Sequence, residues 1–556
     1  LFTTGIVNDQ SVNLSYGSDE GSFNLTLSDL NQNGYIPFNT FDRTSISTGG
    51  TFKLKNGITV GSNMSYTKTD QVGGFFGENQ FDGSSSSFAR TMILARNWDF
   101  NLPYKDPLTG ASVTPLEGQF DHPLWSWEND QIRTETNRTV AGFNLAYSFN
   151  KNISASYRLG YNRYELNRLE IRDINSRANG GVGSLTSDDF TTTDLEQTLL
   201  VNFDYELTDN IALSAITGTN ILNNKTNRIV YQGNDMILPE LFNMRNVETI
   251  TNLLDSKTRR RNVGFFGDLT LSYKNYWFLN FTARNDISST LPKNNNSYFY
   301  PSFSTSLILT DMFKIQSNLL NFAKVRFGIA RAGRDATAEF LNRPYVIGNP
   351  FNGTSTIRNP DFLANQQVTP EFTTEIELGT DLEFFKRKVI LDFTVYQKTT
   401  TDLLTPITVP GSTGYGEFNT NISKMINKGV EIGLNLIPIQ NENFKWNLFT
   451  TFTKNVNEVT ELIEGLERYP IDVNQVAYVA VGQPFGVFYG TRFARDEAGN
   501  YLINPNGGGI IQDPTPGIIG DPTPDFKMSF INSLSYKGFT LRTQFDWRQG
   551  GDIKSS

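Results

Sequence analysis

Strict two-residue alternation, held over arms of roughly ten residues, constrains this chain more than any other feature. It reads directly from Thr139 to Tyr161. Phe143, Leu145, Tyr147 and Phe149 alternate with Asn144, Ala146 and Ser148. After the polar turn Asn150-Lys151-Asn152, Ile153, Ala155, Tyr157, Leu159 and Tyr161 alternate with Ser154, Ser156, Arg158, Gly160 and Asn162. Successive side chains on a strand point to opposite faces, so each arm has an apolar, aromatic face and a small or polar one. About ten residues is also what a tilted strand needs to cross a bilayer. The pattern predicts an all-β fold, a transmembrane antiparallel β-barrel with lipid outside and water inside.

The same unit recurs over residues 11–28, 44–67, 139–162, 199–219, 265–283, 302–330, 375–397, 428–453 and 526–547. Turn residues close several of these hairpins, among them Lys55-Asn56-Gly57, Thr208-Asp209-Asn210, Lys274-Asn275, Asn441-Glu442-Asn443 and Lys537-Gly538. Connections over 68–138, 220–264, 331–374 and 454–525 read instead as long polar loops rich in Gly, Pro and Asn. Short turns alternating with long loops are the periplasmic and extracellular sides of an outer-membrane barrel. Apolar runs are too short for a spanning helix. With no cysteine, the chain has no disulfide, thiolate metal site or Cys nucleophile, and a net charge of −9 gives no electrostatic footprint for nucleic acid. Nine hairpins supply about eighteen strands of an open sheet, and a sheet edge cannot face hydrocarbon. The expectation is that residues 1–556 are a segment of a larger barrel, without its closing C-terminal strands.

Several stretches then resemble one family, the SusC/RagA-like TonB-dependent transporters of the Bacteroidota outer membrane. They are Arg284-Asn285-Asp286-Ile287-Ser288-Ser289-Thr290-Leu291-Pro292 with Tyr300-Pro301-Ser302, then Pro370-Glu371 with Glu375, Glu377, Leu378 and Gly379. Tyr396-Gln397-Lys398, Asp402-Leu403-Leu404, Gly414 and Asn421 follow. The most specific is Asn427-Lys428-Gly429-Val430-Glu431; Trp446, Asn455, Gly520-Asp521-Pro522-Thr523-Pro524-Asp525-Phe526 and Phe545-Asp546-Trp547-Arg548-Gln549-Gly550-Gly551-Asp552 complete the series. The resemblance implies about 22 strands, of which about eighteen are present here, and a plug domain with a TonB-contacting box lying outside this sequence. It implies import of a bulky nutrient, an oligosaccharide or peptide, driven through the TonB complex. It also implies a SusD-like surface lipoprotein as partner and outer-membrane lipid around the wall. A passive porin, or a structural or secretion-associated barrel on the same frame, is the alternative.

No motif for catalysis is found. His122, the only histidine, sits in Asp121-His122-Pro123-Leu124-Trp125-Ser126-Trp127 and is read as structural. No cofactor is expected. Asp29-Leu30-Asn31-Gln32-Asn33-Gly34 mimics the start of a calcium loop, but Thr40 stands where the bidentate Glu belongs, so a turn is preferred to a structural calcium site. Asp496, Asn500, Asn504 and Asn506 are a second, weaker calcium candidate. Glu375 and Glu377 share a face opposite Ile376 and Leu378 and read as water-facing wall charges rather than a hydrolytic pair. Arg259-Arg260-Arg261 read as a solvated loop end. For contact with substrate or partner the candidates are Trp98, Tyr104, Trp125 and Trp127, flat rings in one long loop. The competing reading is that they pack that loop onto the barrel mouth or a partner.

Overall fold

The computed structural model describes residues 1–75, 91, 96–114, 121–338, 340–341, 345–351, 353–471 and 476–554. Eighteen strands form one antiparallel sheet. The first nine are β1 (Ile6–Ser18), β2 (Gly21–Asn33), β3 (Thr40–Lys53), β4 (Ile58–Gly74), β5 (Gln131–Ser148), β6 (Ile153–Ile174), β7 (Val182–Thr208), β8 (Ile211–Met236) and β9 (Val247–Tyr273). The others are β10 (Trp277–Ser288), β11 (Ser297–Ile308), β12 (Leu320–Arg334), β13 (Glu371–Phe384), β14 (Val389–Thr401), β15 (Ser423–Gln440), β16 (Phe444–Leu462), β17 (Pro524–Tyr536) and β18 (Phe539–Gly550). All nine hairpins expected from the alternation are present, and among the described residues the sheet is not closed. Among the described residues no helix is long and apolar enough to cross a membrane.

By compactness the chain divides into two units, Leu1–Val201 with Thr219–Asn262, and Asn202–Gly218 with Val263–Ser556. In the first, β1 to β6 pair in sequence. The β5–β6 hairpin has Phe143 opposite Leu159 and Leu145 opposite Tyr157 on one face, with Asn144 opposite Arg158 on the other. Side-chain bonds extend the polar face, from Asn162 Nδ2 to Asp194 Oδ2 at 3.1 Å and from Asn224 Nδ2 to Asp194 Oδ1 at 2.6 Å. In the second unit, β10 to β18 pair in the same consecutive way. There Ile376 and Leu378 are 45% and 51% exposed on the apolar face, while Glu375 on the polar face pairs with Lys398 at 3.2 Å. Conventional buried clusters form where the connections pack. One holds Ile171, Leu185, Met236 and Val247 in the first unit. The second unit has Leu291, Tyr298, Phe340 and Val368 in one cluster and Ile422, Val459, Tyr469 and Val479 in another.

The strands are longer than the alternation indicates. β7 and β9 each run 27 residues, against the roughly ten that a bilayer requires. Three expectations change as a result. The supposed loop over 220–264 is mostly strand, because β8 continues to Met236 and β9 begins at Val247. Arg259-Arg260-Arg261 therefore lie inside β9 and not at a loop end. Asp29–Asn33 are the last residues of β2, and the turn falls at 34–39. Beyond the bilayer both faces of a strand meet water, so the apolar period vanishes while the ladder continues.

The motif around Gly429 has a steric explanation. Tyr396 and Gly429 are register partners, and a Cβ at Gly429 would overlap the Tyr396 ring. The Tyr396 hydroxyl donates to Asn455 Oδ1 at 3.3 Å, and Asn427 Oδ1 accepts from Asn455 and Asn457 at 3.1 and 2.9 Å. An aromatic ring covering a strand glycine fills the missing side chain's place. Gly429→Val is expected to lower stability by about 1–3 kcal/mol through overpacking. The change should appear as a lower midpoint for loss of the heat-resistant folded band on a gel. Adding Tyr396→Ala should restore part of the loss; two independent, additive losses would contradict the steric account.

Candidate functional site

The polar face of the first unit carries a complete lateral row near the ends of β2 to β6 away from their short turns. Gln32 pairs with Phe41, Phe41 with Gln71, Gln71 with Thr134 and Thr134 with Arg168. These five side chains line a recess of about 820 Å³. Tyr35 at its rim is 59% exposed. Two amides, a hydroxyl and a guanidinium beside two rings suit a polar ligand with flat apolar faces, as sugars and peptides have. Arg168 is held by Glu170 at 2.6 Å, and its Nε is buried without a hydrogen-bond partner. No sequence pattern marks this row, since its members come from five strands and share only a register.

The aromatic candidates lie elsewhere, in the β4–β5 connection. Its anchor is a short helix, α1 (Pro123–Asn129), with Pro at its first position. His122 is its N-cap: Nδ1 accepts from the Leu124 amide at 3.2 Å, and the His122 amide donates to Ser112 Oγ at 2.7 Å. Proline at the first helical position suits the sequence, since it sacrifices no intrahelical bond. Trp125 and Trp127 are each 1% exposed. The Trp125 indole donates to the Gly110 carbonyl at 2.8 Å. Trp127 stacks on Phe2 at 6.1 Å between centroids, and its Nε1 is buried without a partner. Tyr104 stacks on His122 at 5.7 Å and donates to Glu128 at 3.3 Å. Trp98 is half-buried, its indole nitrogen without a partner. Thus Tyr104, Trp125 and Trp127 meet around α1, and the two tryptophans present no open face on which a ligand could stack.

Beneath α1 lies a buried polar cluster. Asp130 accepts from Ser176 Oγ at 2.7 Å and from the Asp173 amide at 3.2 Å. Asp121 accepts from the Arg177 amide at 2.8 Å, and its carboxylate meets the Arg177 guanidinium at 3.5 Å. Burial disfavours the charged forms: it holds His122 neutral, its pKa down at about 4, and pushes Asp130 up to about 8. Asp173 is raised for the same reason. The cluster latches the loop to the β6–β7 connection.

Among the described residues no group of three or more His, Asp or Glu could hold a metal. Asp29 accepts from Thr44 at 2.8 Å across the β2–β3 ladder, and Asp496 accepts the Asn500 amide at 2.8 Å within its own turn. On the polar face of the second unit, Arg326 reaches Asp381 at 2.6 Å and Asp392 at 2.9 Å. Wall charges there neutralise one another.

A long-stranded antiparallel sheet with one apolar and one polar face, short turns at one end and packed loops at the other, defines an outer-membrane barrel wall. Residues 78–553 match the family described as TonB dependent receptor-like, beta-barrel. The chain belongs to that family and resides in the outer membrane. It is 25% identical to TonB-dependent receptor P3 of Formosa agariphila, covering 100% of this chain and 58% of that protein. It is 30% identical to the TonB-dependent receptor SusC of Bacteroides thetaiotaomicron, over 51% of this chain and 30% of that one. The fold is also similar to a solved structure of the RagAB peptide transporter, with a TM-score of 0.81 at 17% identity, covering 97% of this chain and 61% of that one. The SusC/RagA-like resemblance of the motifs agrees with these matches. The chain spans a little over half the length of the Formosa agariphila relative.

Proposed function

We propose that this chain forms the wall of a TonB-dependent importer of oligosaccharides or peptides. A plug domain moved by TonB would gate its pore, and a SusD-like lipoprotein would work at its extracellular mouth. The row Gln32, Phe41, Gln71, Thr134 and Arg168, with Tyr35 above it, carries the reading. It places amide, hydroxyl, guanidinium and ring surfaces together on the polar face, where a bulky neutral polymer would pass. A polar lumen of this family's width would leak without a gate, so energised opening is favoured over a passive porin. The wall lowers a permeability barrier and makes or breaks no bond. RagAB, a structural neighbour, is named a peptide transporter, which supports placing peptides beside oligosaccharides as the substrate class.

The test is uptake of fluorescent oligosaccharide and oligopeptide pools by cells expressing the full-length protein, with and without TonB. Uptake of one pool that stops without TonB, and whose half-saturating concentration rises roughly tenfold in Tyr35→Ala from loss of a stacking face, is expected. Uptake undiminished without TonB would identify a passive pore instead. No uptake of either pool, with stable co-purification of secretion proteins, would favour the structural alternative.

A further inference from the structure

The apolar face of the second unit carries two cations that the transport reading does not use. Across β13 to β16, two adjacent rows point toward lipid. One is Ile376, Gln397, Lys428 and Val456, and the other is Leu378, Val395, Val430 and Lys454. The register makes Lys428 and Lys454 diagonal neighbours, about 7–8 Å apart in such a ladder. Between Lys454 and the short turn before β16, the outward side chains are Trp446, Leu448, Thr450 and Phe452. Those ten residues rise roughly 25 Å at ordinary strand pitch and tilt, the height of the apolar band. Both lysines therefore stand at the extracellular edge of that band, at the outer-leaflet headgroups.

A single lysine at that height is unremarkable, because its stem lies along apolar surface and its head reaches water. Here the pairing differs. Lys68 and Arg163, like Lys454, are each the eleventh residue of their strands counted from the short turn, and both point outward. Lys68 lies 3.4 Å from both Asp70 and Glu135, and Arg163 is paired with Glu165. Neither Lys428 nor Lys454 forms an ion pair among the described residues. Glu458 is the outward carboxylate diagonal to Lys428, and the two are not bonded. Beside the lysines Ile376, Leu378, Val395, Val430 and Val456 line a groove of about 450 Å³. Two unneutralised ammonium groups at the mouth of an apolar groove are complementary to an amphiphile whose head carries more than one negative charge.

We propose that Lys428 and Lys454, with this groove, bind one phosphorylated glycolipid of the outer leaflet. Its phosphate bridges the two ammonium groups, the Gln397 amide serves the sugar, and an acyl chain lies along Ile376, Leu378 and the three valines. The proposal rests on the outer-membrane barrel and not on the import reading, so either can fail alone.

The experiment is native mass spectrometry of the full-length protein released from nanodiscs of phosphatidylethanolamine doped with lipid A. Parallel discs carry dephosphorylated lipid A or phosphatidylglycerol. Wild type is expected to retain one lipid A, and the K428Q/K454Q double variant to retain about tenfold less, as expected from losing two charge-assisted contacts. Lys68→Gln, which removes an already neutralised cation, should retain as much as wild type. Equal retention by the double variant would overturn the site. So would equal retention of the dephosphorylated lipid or of phosphatidylglycerol, which would make the patch a generic interfacial surface. Heat-resistant gel mobility checks folding; should the double variant fail it, K428Q and K454Q singly carry the same test at smaller loss.

Discussion

Trp125→Ala is expected to free the β4–β5 loop from its latch while leaving the sheet intact. The side chain is almost wholly buried, and its indole satisfies the Gly110 carbonyl. Removing a buried tryptophan costs about 3–5 kcal/mol in a packed site, and here it also strips the half-buried Gly110 carbonyl of its donor. Little of that loss should reach the barrel, whose strands are held by their own ladders. Hydrogen exchange at the α1 amides should therefore rise by two to three orders of magnitude, while β5 and β6 stay protected. Trp127 gives the contrast. Its Nε1 has no partner to lose, so Trp127→Phe should be milder than Trp125→Phe. If Trp125→Ala left exchange of α1 unchanged, the loop would be held by something other than this packing. If it weakened ligand uptake without loosening the loop, these rings would be in contact with the ligand.

That contrast also marks what the sequence can convey. Within the bilayer the two faces of a strand meet lipid and water, so Phe143, Leu145 and Tyr147 betray the strand and even its outward side. Past the bilayer both faces are wet. Lys225 to Arg228 and Arg259 to Arg261 then look like loop although they belong to β8 and β9. The recess is hidden for another reason: Gln32, Phe41, Gln71, Thr134 and Arg168 become neighbours only through four successive registers. For Trp125 and Trp127 the sequence gives ring chemistry but not burial. The Asp121-His122-Pro123 triplet did carry a usable signal, a capping side chain followed by proline at the first helical position.

The second large effect is a response to alkali. Asp130 keeps its proton in the closed loop up to a pKa of about 8, because burial penalises the carboxylate more than its hydrogen bonds favour it. In the opened loop it would ionise near the ordinary value of about 3.9. A pKa raised on closing means that closure is most favoured below the open-state value and weakens as pH rises toward the closed-state one. The loss is about 1.4 kcal/mol per pH unit across that window and levels off above about 8. Asp121 and Arg177 beside it, Arg172 and Asp173 on β6, and Glu240 and Lys105 opposite Asp173 add to the charge balance. Of these Asp173 is raised also, so part of the slope belongs to it. Opening, followed by hydrogen exchange at α1 or by cleavage between residues 96 and 130, should increase steadily from pH 5 to pH 8. Asp130→Asn keeps an oxygen for the Asp173 amide and supplies an N–H for Ser176, but cannot ionise. It should flatten most of the slope and leave the loop more protected than wild type at pH 8. A wild-type profile that is flat, or that falls with pH, would mean that Asp130 is charged in the closed loop and that the latch is an ion-pair network centred on Arg177.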